Sequence, residues 1–151
     1  MRIVVAAVTA RTGKTKLAAF QSLAGEYTRR TSQFSKLEIH YSTSEDALLA
    51  WMTARRSRSM PFVVLLDSRG KQLSSEELAQ FLQSHQGQGT QEVIFAIGPA
   101  DGWSEAARKK SGLLLSFGKM TLPHELAKIV LLEQLYRGFA ILNRHPYHSG
   151  H

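Results

Sequence analysis

Six histidines and no cysteine set the chemistry open to this chain. His145, His148 and His151 recur every third residue near its end, with Tyr147 beside the second. Imidazoles at that spacing can take a transition metal when the fold turns them inward. No carboxylate stands among them, and a terminal run is poorly preorganised, so no metal is expected. The lack of cysteine removes disulfides and thiolate sites. Thr12-Gly-Lys-Thr15 looks like the end of a phosphate-binding loop, but the glycine required five residues before Gly13 is replaced by Val8. Without it the backbone does not wrap a phosphate in the usual way, which leaves a basic loop. No G-x-G-x-x-G follows any strand candidate, and His40-Tyr41-Ser42 lacks the acid that holds a ribose, so a Rossmann dinucleotide site is not expected. Ile97-Gly98-Pro99-Ala100-Asp101-Gly102 is either a simple turn or a tight loop where a ligand approaches the backbone. Glu133 and Arg137 stand four apart and read as a helix ion pair.

These residues need elements to place them. Apolar runs bounded by turn residues predict strands at Arg2–Val8, Leu37–Tyr41, Phe62–Asp67, Glu92–Gly98 and Leu113–Phe117. Helical stretches predicted at Thr15–Thr31, Ser44–Arg56, Ser74–His85, Ser104–Ser111 and Pro123–Leu142 alternate with them. The alternation predicts an α/β fold, a mostly parallel sheet with helices on both faces, in one domain over residues 1–151. Ser74-Ser-Glu-Glu77 has the form of a capped helix start, and Pro123 suits a first helical turn, with Thr121 as a nearby cap. The last helix is apolar on most of its faces, through Leu126, Ile129 to Leu132, Leu135, Phe139, Ile141 and Leu142. Such a helix must be covered on two sides, and in so short a chain the second cover is expected to be another copy, giving a homodimer.

The formal net charge of +7 is unevenly placed. Residues 1–58 carry ten of the 19 Lys and Arg against four of the 12 acids. A one-sided basic surface points to a polyanionic partner and salt-dependent binding, or simply to a soluble basic protein. The apolar runs are too short to span a bilayer, and Met1-Arg2-Ile3-Val4-Val5 reads as a first strand and not a signal peptide, so a cytoplasmic protein is expected.

Several segments, in order and at their separations, carry a stronger signal: Glu26-Tyr27-x-x-Arg30, Leu65-Leu66-Asp67 with Gly70-Lys71, Ile97-Gly98 with Gly102, Ser116–His124, Glu133–Arg137 and His145–His148. On these the chain resembles, over nearly its whole length, the RlmH family of SPOUT-class RNA methyltransferases. The resemblance implies a deep carboxyl-terminal trefoil knot, a homodimer, S-adenosyl-L-methionine as cofactor, and methylation of N3 of a pseudouridine in the 23S ribosomal RNA of the assembled ribosome. Carried onto this sequence, it implies a cofactor site of Leu66, Gly98, Phe117, Gly118, Lys119, Met120, Thr121 and Leu122. Tyr147 and His148 become the catalytic candidates, with His148 as a base near neutral pH. Arg11, Lys14, Arg29 and Arg30, taken from the basic half of the chain, and Arg137 are the candidate RNA contacts. Two positions depart from the family pattern: Pro99 has no N–H to donate, and Ser149 stands where a basic residue is usual. They keep two alternatives in view, a non-catalytic ribosome- or RNA-binding factor of the same fold and a SPOUT enzyme for another RNA.

Overall fold

The computed structural model describes residues 1–9, 17–55 and 59–149. Strands β1 (Arg2–Val8) and β4 (Glu92–Ile97) are unbroken apolar runs after their first residue, the pattern of strands covered on both faces. They lie side by side in a five-stranded sheet of order β2-β1-β4-β3-β5, with β2 at Leu37–Ser42, β3 at Phe62–Gln72 and β5 at Leu113–Ser116. Every pairing is parallel. Alternate side chains serve opposite cores. Ile3, Val5, Val93, Phe95, Val64 and Leu115 pack beneath α1 (Ala18–Thr31), α3 (Ser75–Gly87) and α5 (His124–Leu142). Val4, Ala6, Ile94, Ala96 and Leu65 pack beneath α2 (Glu45–Ala54) and α4 (Glu105–Lys110). The expected α/β arrangement, with helices on both faces, is the one observed. The serine cap is also in place: Ser74 Oγ accepts from Glu77 N at 3.0 Å, and Glu77 Oε1 accepts from Ser74 N at 3.3 Å.

Two elements differ from expectation by more than their ends. Strand β3 does not stop at Asp67 but bulges, so that Leu115 is in register with both Leu66 and Lys71. Helix α5 begins at His124, with Pro123 at the cap position and no side-chain cap. The helix also needs no second copy to bury it. It lies on the sheet between α1 and α3, and Leu131, Leu132, Leu135, Phe139 and Ala140 are fully buried within one chain. The premise for a dimer drawn from its greasiness therefore falls away; Leu126 is the large apolar residue it leaves exposed.

The amino-terminal edge of the sheet is held by charge. Glu92, its side chain 9% exposed, accepts from Arg55 Nε at 3.0 Å and Nη2 at 2.7 Å, and Arg2 Nε lies 2.8 Å away. Burial alone would raise the Glu92 pKa, but the two guanidinium groups outweigh it and hold it below the usual range. A depressed carboxyl stabilises the fold above its unfolded pKa, and that contribution is lost as pH falls through the folded value. Glu92→Gln is expected to cost about 2 kcal/mol at neutral pH, because Arg55 is left under-paired. In urea titrations the gap should begin to narrow as pH falls below the unfolded carboxyl value of about 4.3, and close only below the depressed folded value, where the wild-type carboxyl is protonated too. Equal midpoints at pH 7 would contradict this account.

Candidate cofactor cleft and tail cluster

The bulge of β3, which serves as the first loop of the site, and the loops after β4 and β5 lie at the same edge of the sheet, where the crevice of a parallel α/β sheet lies. They enclose a cleft of about 420 Å³. Leu66, Asp67 and Ser68 line it from the first loop, Ile97 to Ala100, Gly102 and Trp103 from the second, and Leu115 to Gly118 with Met120 to Leu122 from the third. Pro123, His124 and Ala127 close it from the start of α5.

Two glycines shape these loops. A Cβ on Gly98 would lie 2.7 Å from Trp103 Cε2, so only glycine lets the indole pack against the strand end. That indole is 4% exposed, and its Nε1 donates to the Leu66 carbonyl at 2.9 Å, stitching the second loop to the first. Gly118 has φ +117°, a left-handed conformation that side chains resist. Ser116 Oγ accepts from Gly118 N at 3.0 Å and closes this turn.

Asp67 is the acid of the cleft. Burial pushes its pKa up, but bonds from Arg108 Nε at 2.7 Å and Arg69 N at 2.8 Å outweigh that and hold it below the usual range. His124 Nε2 is buried and has no hydrogen-bond partner among the described residues.

Seven of the eight cofactor candidates from the sequence line the cleft; Lys119 does not and lies exposed at its rim. Trp103, Asp67 and His124 were missed. Trp103 had left a signal, a single large aromatic beside Gly102 in a loop of small residues.

Tyr147 and His148 are elsewhere. They sit in a 3-10 turn, Pro146–His148, against α5, and neither lines the cleft. Tyr147 Oη donates to Glu133 Oε1 at 3.0 Å, while Arg137 grips the same oxygen through Nε at 2.9 Å and Nη2 at 2.7 Å. Burial first, then hydrogen bonds with Tyr27 and Glu133, push the Tyr147 phenol well above its usual range, so it stays protonated. Arg137 Nη1 lies 3.0 Å from His148 Nδ1, and Glu76 Oε1 lies 2.8 Å from Nε2. Arginine only donates and a carboxylate only accepts, which assigns the proton of neutral His148 to Nε2. Both ring nitrogens are then engaged, and His148 has no free lone pair to act as base in this arrangement. His145 turns its Nδ1 to Tyr147 N at 3.2 Å, so it does not converge with His148, and His151 lies outside the described residues.

Arg29 and Arg30 share one carboxylate, Glu26, at 2.8 and 2.7 Å, which leaves a single net positive charge among them. The Arg30 guanidinium also lies 5.8 Å over Tyr136, whose ring is 4.6 Å from Tyr147, so Arg30 and Arg137 belong to one aromatic cluster. Arg11 and Lys14 lie outside the described residues. Among those described, no helix is long and apolar enough to cross a membrane.

A doubly covered parallel sheet with a mostly apolar cleft at its carboxyl edge defines an α/β protein that binds a small ligand between strand-end loops. Comparison with known proteins makes the class specific. A family model described as "Predicted SPOUT methyltransferase" matches residues 1–148, and the chain belongs to that family. A relative in Koribacter versatilis named "Ribosomal RNA large subunit methyltransferase H" is 56% identical over 139 residues, covering 92% of this chain and 94% of the relative. One of the same name in Gloeobacter violaceus is 37% identical over 158 residues, covering 99% and 100%. The solved structure of a probable methylase family protein from Haemophilus influenzae shares the fold, with a TM-score of 0.52 at 11% identity over 97% of this chain and 67% of that one.

Proposed function

We propose that the protein transfers a methyl group from S-adenosyl-L-methionine to N3 of a pseudouridine in 23S ribosomal RNA of the assembled ribosome, in the cytoplasm and as a homodimer. The observation that carries the reading is the cleft itself. Its size and apolar walls suit an adenosine-bearing ligand, and relatives that align along nearly the whole chain are named for ribosomal RNA methylation. When bound, the cofactor would supply an electrophilic methyl on sulfur. Leu66, Gly98 and Phe117–Leu122 would hold it, with backbone groups of the third loop on the adenine edge and Trp103 keeping the first two loops together. Lys119, at the rim and outside the wall, would contribute charge to the mouth of the site.

The chain's own task is to position the nucleotide and exclude water, since methyl transfer rewards alignment of nucleophile and methyl. Tyr147 enters as a hydroxyl donor and a ring surface, not as a phenolate. His148 enters as the neutral imidazole bridging Glu76 and Arg137, and would serve as base only after leaving Arg137. Arg30, with Arg11, Lys14 and Arg29, would meet RNA phosphates, while Arg137 would hold the tail cluster beside the RNA through Glu133 and His148. Exposed Phe117, Met120 and Leu126, clustered around the third loop and the start of α5, are the surface we assign to a second subunit. The family's knot would lie in the carboxyl-terminal half, among the loops of the cleft.

The test is incubation of the protein and cofactor with ribosomes from a strain lacking the gene, followed by mass spectrometry of the ribosomal RNA. One added methyl at a pseudouridine of the 23S RNA is expected. Calorimetry on the same sample separates the failures. Cofactor binding without RNA methylation points to another RNA substrate, and no binding at millimolar cofactor points to a non-catalytic factor.

A further inference from the structure

A second cavity of about 240 Å³ adjoins the cofactor cleft, and Leu115, Ser116 and Phe117 line both. Leu73, Leu78 and Val130 add apolar walls, and Gln134 supplies an amide. That amide is fixed from two sides: Ser75 Oγ donates to its Oε1 at 2.6 Å, and its Nε2 donates to Glu133 Oε2 at 2.7 Å. The other oxygen of Glu133 holds Tyr147 and Arg137. The cavity therefore lies between the cofactor cleft and the tail cluster, joined to one by shared walls and to the other by a continuous hydrogen-bond chain.

From this we infer that the second cavity receives the target base, and that Gln134 selects pseudouridine over uridine. The inference rests on the proposed methyltransferase reading. Enzymes that modify a base draw it out of its stack into a pocket with apolar walls and read an edge by hydrogen bonds. After its two fixed bonds Gln134 keeps one free lone pair on Oε1 and one free N–H on Nε2. Those complement an adjacent N–H and C=O. Pseudouridine, joined to its ribose through C5, carries a free N1–H beside C2=O, whereas in uridine N1 bears the sugar. Reading that edge leaves N3 clear to face the methyl donor. A site built to bond an N–H also penalises the analogue that lacks it, because the acceptor stays unpaired.

The experiment compares methylation of ribosomes carrying pseudouridine at the target with ribosomes from a strain that leaves uridine there. For the wild type, kcat/KM should favour pseudouridine by at least about tenfold, the worth of one such bond. Gln134→Met keeps the volume and removes the amide; it should erase most of that ratio, chiefly by slowing the pseudouridine reaction, with cofactor affinity unchanged. Ser75→Ala, which frees the amide without removing it, should lower the ratio in the same direction and by less. A wild-type preference that Gln134→Met leaves intact overturns the inference while sparing the proposed activity. So does a variant whose only change is weaker cofactor binding. A wild type that methylates neither ribosome removes the reading on which the inference rests.

Discussion

Alanine at Gly70 should destabilise the protein by about 3 kcal/mol and weaken cofactor binding with it, the cost of forcing a methyl into a packed interior. A Cβ there would stand 2.5 Å from the carbonyl carbon of Leu114, 2.6 Å from its oxygen and 2.7 Å from the nitrogen of Leu115. All three atoms are backbone, so no rotamer change relieves the clash. The β5 peptide would have to move, and Leu115 is 3% exposed and in register with Leu66 and Lys71 on both sides of the bulge. Leu115 and Ser116 also open the third cofactor loop, so the displacement reaches the cleft wall. Urea unfolding with and without S-adenosyl-L-methionine measures both effects. Gly25→Ala is the control. It lies within α1 with nothing within 4 Å of its added carbon, and should raise stability by about 1 kcal/mol through helix propensity alone. Equal stabilities for Gly70→Ala and the wild type would mean that the bulge does not pack against β5 as described.

The same bulge shows where sequence reasoning stops. Strand β1 was legible to the residue because the apolar run Ile3 to Val8 fills it from just after Arg2 to its end. The second half of β3, Ser68-Arg69-Gly70-Lys71-Gln72, is polar and contains glycine, so local preference speaks for a turn. Its pairing is decided by β5, more than forty residues later in the chain. Helix α5 was read correctly as apolar and covered on two sides, but composition does not say whose atoms do the covering, and α1 and α3 of the same chain suffice. For the site, spacing alone offered a glycine loop and a terminal set of histidines; the assignment of Phe117–Leu122 came from family resemblance. His124 gave no local sign, because its place in the cleft wall is set only by folding. The contact of His148 with Glu76 joins residues 72 apart, a distance over which no periodicity carries information.

Arg137→Ala should lower kcat for ribosome methylation by about a hundredfold, the scale on which a small misplacement near a reacting group costs rate. The guanidinium holds Glu133 with two nitrogens, His148 with the third, and stands 4.9 Å over the Tyr147 ring. It is the common centre of the tail cluster, and its removal has three consequences. Glu133 keeps a partly buried negative charge without its counterion, His148 loses the donor that sets its Nδ1 as acceptor, and the Tyr147 ring loses its neighbour. Glu133 also anchors Gln134, so the disturbance extends to the wall of the second cavity. Global stability should fall far less than activity, because the core of α5 rests on Leu131, Leu132, Leu135 and Phe139, which the substitution leaves alone. Arg137→Lys should recover only a small part of the loss, since a point charge cannot hold Glu133 through two nitrogens and reach His148 through a third. The distinguishing observation is the division of the effect. A lost positioning network lowers kcat while cofactor affinity stays unchanged, whereas a lost phosphate contact raises KM for the ribosome and makes that KM less sensitive to salt. Turnover within threefold of wild type would show that the tail cluster serves folding only.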